Sequence, residues 1–196
     1  MPKTIRKKGE DFPWPLYVLD FEASSLELEG YPIEVGLAAW MELEGPMLGW
    51  SALIRPEEEW LRFGDWSKAS RNVHGISQAD LRSGSSAQDV ASELSRLLPD
   101  GAVVWCDGGP YDAHWARKLF EPTGIGQRFT LLNWSGLLSR LDATQLERAW
   151  EWIERNPSPH RARPDAENLI SALMWAIGRD PTRVSRGRLC NSGGCT

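Results

Sequence analysis

The sequence predicts an α/β domain: a mixed β-sheet, three antiparallel strands first and parallel additions afterwards, flanked by helices. Three observations carry that expectation. Three short apolar runs near the N-terminus are joined by segments that suit turns and loops. Beyond them helical and strand patterns alternate, so the full order reads β-β-β-α-β-α-β-α-α. The chain has 196 residues and 41% hydrophobic content, which suits one domain with a full core.

The elements follow in order. Residues 1–14 read as a flexible polar arm, 15–178 as the domain, and 179–196, rich in Arg, Gly and Ser, as a flexible tail. Leu16 to Leu19 is a short apolar run that suits a buried strand. Pro32 opens a second strand, Ile33 to Trp40. Met47 to Ile54 is a third, with Leu48, Trp50, Ala52 and Ile54 on one face; Glu42 to Pro46 makes the hairpin turn. Pro56 to Arg71, holding Trp60, Leu61, Phe63 and Trp66, is irregular and partly helical, and Asn72 to Ser77 is a turn. Ser86 and Asp89 resemble a capping box that opens a helix to about Leu98. Ala102 to Cys106 is a buried strand. Pro110 suits the first position of a helix, and Tyr111, Trp115 and Leu119 share one face of it. Phe129 to Asn133 is the fifth strand. Residues 142–155 form an amphipathic helix through Leu146, Trp150 and Ile153, broken by Pro157 and Pro159. Pro164 starts the last helix, with Leu169, Ile170, Leu173 and Ile177 inward.

Three pieces of this framework carry chemistry. Asp20-Phe21-Glu22 closes the first strand, and residues spaced by two point to the same side. Two acids at a strand end repel unless a cation lies between them, and hard divalent cations prefer carboxylate oxygen. A solvated loop at the strand end is the plainer reading. Asp112 falls in the first turn of a helix, where the helix dipole alone favours an acid. Asp107, directly after the strand, is its rival. His160 and Asp165 bridge a loop and the next helix start. An imidazole suits a general base that activates water near pH 7. His74, in a turn before Ile76, could line a nucleotide pocket or simply precede a core residue; His114 reads as a helix-surface residue. Carboxylates in pairs with one free imidazole point to phosphodiester hydrolysis.

The bulk properties bound this reading. A net charge of −5, from 22 basic and 27 acidic residues, argues against a protein that coats long duplexes. It leaves room for one that meets a few nucleotides through metal ions. Lys3, Arg6, Lys7 and Lys8 lie at the N-terminus without an apolar run after them, so no secretory signal is expected. No stretch approaches the roughly 20 apolar residues of a membrane span. Three cysteines, Cys106, Cys190 and Cys195, make no disulfide framework, and the expectation is a reduced, cytoplasmic protein with no membrane partner. Cys190 and Cys195 have no neighbouring histidine, so no zinc site is expected there. Of eleven tryptophans most are expected in the core, with one or two free to stack on bases.

Together the motifs resemble the DEDDh branch of the DnaQ-like 3′–5′ exonucleases, which have a ribonuclease H-like fold. Asp20-Phe21-Glu22 resembles the family's Asp-x-Glu after a strand. Tyr111-Asp112 resembles its aromatic-Asp pair opening a later helix. His160 to Ala166 matches its His-x-Ala-x-x-Asp-Ala motif in full and is the specific element. Asn72 to Ser77 resembles its His-Gly-Ile turn. The likeness covers about residues 15–178. Two positions depart: Ala23 stands where the family often has Thr, and Gly108 where it often has Asn. Both leave the acidic set intact. The resemblance implies two divalent cations, Mg²⁺ or Mn²⁺, with Asp20 bridging them. Glu22 and Asp165 complete the shell of the first ion, Asp112 holds the second ion directly or through water, and His160 acts as general base. It also implies contacts from Leu26 and His74 to the terminal nucleotide of a single-stranded 3′ end, DNA or RNA, and allows a homodimer. Two rivals stand beside it: a silent 3′-end binding module on the same fold, and a phosphoesterase for small nucleotides.

Overall fold

The structure is a computed structural model and describes residues 12–190; most of the expected N-terminal arm and the end of the expected tail, with Cys195, lie outside the described residues. Three strands come first: β1 (Leu16–Ala23), β2 (Pro32–Trp40) and β3 (Met47–Leu53). They pair antiparallel, β1 with β2 and β2 with β3. Two later strands, β4 (Val103–Cys106) and β5 (Thr130–Asn133), add in parallel at the other edge of β1. A sixth, β6 (Arg186–Arg188), pairs in parallel with β3, so the sheet order is β5-β4-β1-β2-β3-β6. This is the mixed sheet the sequence predicts, with one strand more. Arg-Gly-Arg has no apolar alternation, so no pattern reveals β6. Backbone pairing holds it, and Arg186 Nη1 donates to buried Glu167 Oε2 at 2.6 Å.

The helices are α1 (Glu58–Phe63), α2 (Lys68–His74), α3 (Ala87–Leu97), α4 (Pro110–Phe120), α5 (Ser135–Leu138), α6 (Ala143–Arg155) and α7 (Ala162–Ala176). Their starts follow local chemistry. Ser86 Oγ accepts from Asp89 N–H at 3.1 Å to cap α3. Asp142 and Gln145 form a reciprocal capping box at α6. Part of the expected turn at 72–77 is helical: α2 runs to His74 and ends on Gly75 at φ 73, a left-handed cap that suits glycine.

Alternation along the strands builds two apolar layers. Tyr17, Leu19 and Phe21 of β1 and Ile33, Val35 and Leu37 of β2 face α3 and α4. Leu16, Val18, Ala38 and Trp40 face the other way, toward α7. With both faces covered, every residue of β2 is buried. The first turn of α7 rests directly on the sheet. A Cβ at Gly36 would collide with the backbone of Ala162 and Arg163, and one at Gly49 with the side chains of Arg163 and Glu167. These two glycines set the depth at which α7 meets β2 and β3.

Two expectations change. Trp150, expected inward on α6, is 47% exposed, because α6 packs on α7 rather than across the sheet and buries a narrower stripe. Of the cysteines among the described residues, Cys106 is a buried free thiol but Cys190 is disulfide-bonded, so the expectation of fully reduced cysteines fails there. Among the described residues no helix is long and apolar enough to cross a membrane.

Candidate active site

The parallel strands β1, β4 and β5 end at the same edge of the sheet. Loops and helix starts gather there, which is where open α/β sheets hold ligands. On β1, Leu16 and Val18 lie under α7, and Asp20 and Glu22 continue that row to the height of α7's first turn. Asp107 follows β4 directly. Asp112 lies in the first turn of α4, which starts with Pro110 after Gly109 at φ 55. It is 3% exposed, and its Oδ2 accepts from Gly108 N–H at 2.9 Å. A Cβ at position 108 would lie 2.6 Å from that oxygen, which gives the departure at Gly108 a steric reason. Asp165 sits in the first turn of α7. Its Oδ2 accepts from Arg161 N–H at 3.1 Å, while its Oδ1 is buried with no hydrogen-bond partner.

These acids form two triads, Asp20–Glu22–Asp165 and Asp20–Asp107–Asp112. In each, one oxygen per residue lies within 4.8 Å of the others, and Asp20 belongs to both. The sequence reading sets Asp107 and Asp112 against each other; the structure brings both to the second triad. The crowding shows in the electrostatics. Burial, then Asp112 and Glu22, hold the Asp20 carboxyl well above the usual carboxylate range. Burial, with Asp165 and Glu34 nearby, pushes Glu22 up to about 8, and burial with Asp107 pushes Asp112 up to about 7. An orphaned carboxylate oxygen and five acids that resist losing their protons together are what an all-oxygen cation site needs.

A pH effect follows. In the metal-free chain Glu22 and Asp112 keep protons that the unfolded chain has released above its ordinary 4.5 and 3.8. The folded state then binds more protons, so stability falls as pH rises toward 7–8, through the folded values given above. A divalent cation held by these acids would replace those protons. Thermal unfolding at about pH 5.5 and about pH 8 should show a Mn²⁺-induced rise in Tm that grows with pH. A rise of equal size at both would remove the exchange of protons for metal.

The sequence reading missed Glu34. It lies on β2 opposite Glu22 and is 4% exposed. Arg161 Nη2 and Nε donate to its two oxygens at 2.6 and 2.9 Å, and Ala162 N–H donates to Oε2 at 3.1 Å. This fork ties the loop carrying His160 to the strand beside the clustered acids. A charged residue inside an otherwise apolar strand was the signal available.

His160 is exposed, with its backbone at φ 54, and its N–H donates to Ser158 Oγ at 3.1 Å. It shares a cleft of about 380 Å³ with Asp20, Glu22, Asp107 and Asp165. Leu26 and His74 are not among that cleft's lining residues. Leu26 is 66% exposed on a loop pinned by Ser24, whose Oγ accepts from Tyr31 N–H at 2.9 Å and donates to Asp65 O at 2.7 Å. His74 is buried, and its Nδ1 accepts from Ile76 N–H at 3.0 Å.

No protein-family model matches the sequence, nor does any curated protein sequence. Solved structures do resemble the fold. One is exonuclease I, in a structure said to suggest how processivity is achieved, at TM-score 0.66 and 12% identity over 86% of this chain and 42% of that one. E. coli exonuclease I in complex with a dA16 oligonucleotide gives 0.64 and 10% over 86% and 42%. A 3′-exonuclease, solved for 3′-end-specific recognition of a histone mRNA stem-loop, gives 0.59 and 16% over 84% and 64%. The chain thus spans less than half of the exonuclease I chains it resembles. The chain has the fold of these exonucleases, a mixed sheet with flanking helices, and it gathers acids at the ends of the parallel strands.

Proposed function

We propose that the chain is a metal-dependent 3′–5′ exonuclease. It removes nucleoside 5′-monophosphates from the 3′ end of single-stranded DNA or RNA, short oligonucleotides included. The observation that carries this reading is the pair of carboxylate triads sharing Asp20, four of whose five acids line one cleft with His160 while Asp112 lies buried behind them. All-oxygen donors suit two hard cations, Mg²⁺ or Mn²⁺. When bound, such a pair supplies charge stabilisation to the attacking and leaving oxygens of an in-line displacement.

The chain's own residues do the rest. Asp20, Glu22 and Asp165 would hold one cation, and Asp20, Asp107 and Asp112 the other. His160 takes the proton of the attacking water. Glu34, through Arg161, keeps the His160 loop over β1. Leu26, exposed beside the acidic strand end, and His74, beneath the same edge, contact the terminal nucleotide. The exonuclease neighbours, one solved with a DNA oligonucleotide and one with an mRNA stem-loop, support nucleic acid as substrate.

The test is a time course on 5′-labelled single strands, DNA and RNA, with Mn²⁺, Mg²⁺ or EDTA. A metal-dependent ladder that shortens from the 3′ end is expected. Binding of a 3′ end without cleavage under every condition would make the chain a binding module. Hydrolysis confined to mononucleotide esters would make it a phosphoesterase for small nucleotides.

A further inference from the structure

The same cleft has a second wall that the reaction leaves unused. Besides the acids and His160 it is lined by Trp134, Trp150, Ile153 and Leu169. Trp134 follows β5 and is 4% exposed. Trp150, from α6, packs against it in a T-shaped contact, with ring centroids 6.1 Å apart at 85°. That contact braces the Trp150 indole, yet the residue stays 47% exposed. A braced indole with half its surface open, in one cavity with anionic metal ligands, is suited to a flat apolar ring that arrives attached to a phosphate.

We infer that Trp150 is a stacking platform for the base of the nucleotide immediately 5′ to the scissile bond. This rests on the proposed exonuclease reading. The sheet order β5-β4-β1-β2 places the Trp134 end next to Asp107, then Asp20 and Glu22, then Glu34 with Arg161. Attack comes from the side of His160 and Asp165. In-line displacement sends the leaving 3′ oxygen to the opposite side, toward Asp107 and Asp112. The nucleotide that carries that oxygen is the upstream one, and the tryptophan wall lies next on that side. A base can lie on an indole face only when unpaired, so the platform selects single strands and accepts any base.

The experiment is a two-by-two cycle. Trp150→Ala is compared with the unaltered chain on a 5′-labelled strand whose penultimate nucleotide carries its base or an abasic tetrahydrofuran. In the unaltered chain, base removal should raise KM about tenfold or more, with a smaller change in kcat. In Trp150→Ala that preference should collapse, and Trp150→Phe should retain part of it. Equal losses on both strands would make Trp150 a structural residue and overturn the inference. Fluorescence anisotropy of the same labelled strands gives the same cycle in Kd. If the unaltered chain binds but cleaves nothing, the exonuclease reading fails, while the stacking inference still stands or falls on that cycle.

Discussion

Asp20→Asn should abolish hydrolysis and, in the same protein, raise the stability of the metal-free fold. Asp20 alone contributes to both triads, so the neutral isostere removes a ligand from each cation at once. It also removes an acid that burial and four neighbouring carboxyls hold well above the usual carboxylate range. Relief of that repulsion on the order of 1 kcal/mol corresponds to about 2–4 °C in Tm for a domain of this size. Two readouts of opposite sign are therefore expected: no ladder on a labelled strand, and a higher midpoint in EDTA. The gain in midpoint on adding Mn²⁺ should shrink as well. Full activity in purified Asp20→Asn would remove the carboxylate pair from the mechanism.

His160→Ala should lower kcat by roughly 10²–10⁴-fold while KM changes little, the range for loss of a general base. The backbone at His160 sharpens the test. Its φ of 54 lies in the left-handed region, which costs a non-glycine residue roughly 1 kcal/mol. His160→Gly should therefore be at least as stable as the unaltered chain and as slow as His160→Ala. If Gly restored turnover, the loop's conformation rather than the imidazole would be what the reaction needs. Unchanged turnover in both variants would remove His160 from the chemistry.

The parts of this molecule that repeat a physical pattern were open to reading from sequence. Alternation at Leu48, Trp50, Ala52 and Ile54 placed one face of β3, and those residues do pack into one layer. The acids that end β1 were visible because charge following an apolar run is costly. Other features depend on what approaches from elsewhere. Asp107 and Asp112 looked like rivals because each had a local explanation; only the pairing of β4 beside β1 gives them a common target. Glu34 reads as an ordinary polar interruption until Arg161, from the far end of the chain, closes on it. Trp150 fits an inward helical stripe, and its exposure follows from how α6 leans on α7, which periodicity does not encode.

The contact of α7 with Gly36 and Gly49 has a consequence for how the chain is kept folded. Asp165 reaches Asp20 only after the last helix has docked on a sheet begun by the first strand, so closing that long loop precedes any complete cation site. Cations held at the proposed site would then bind the finished chain and not its precursors, and by mass action they would favour its folded state. Metal supply would govern how long each molecule survives proteolysis as well as how fast it works.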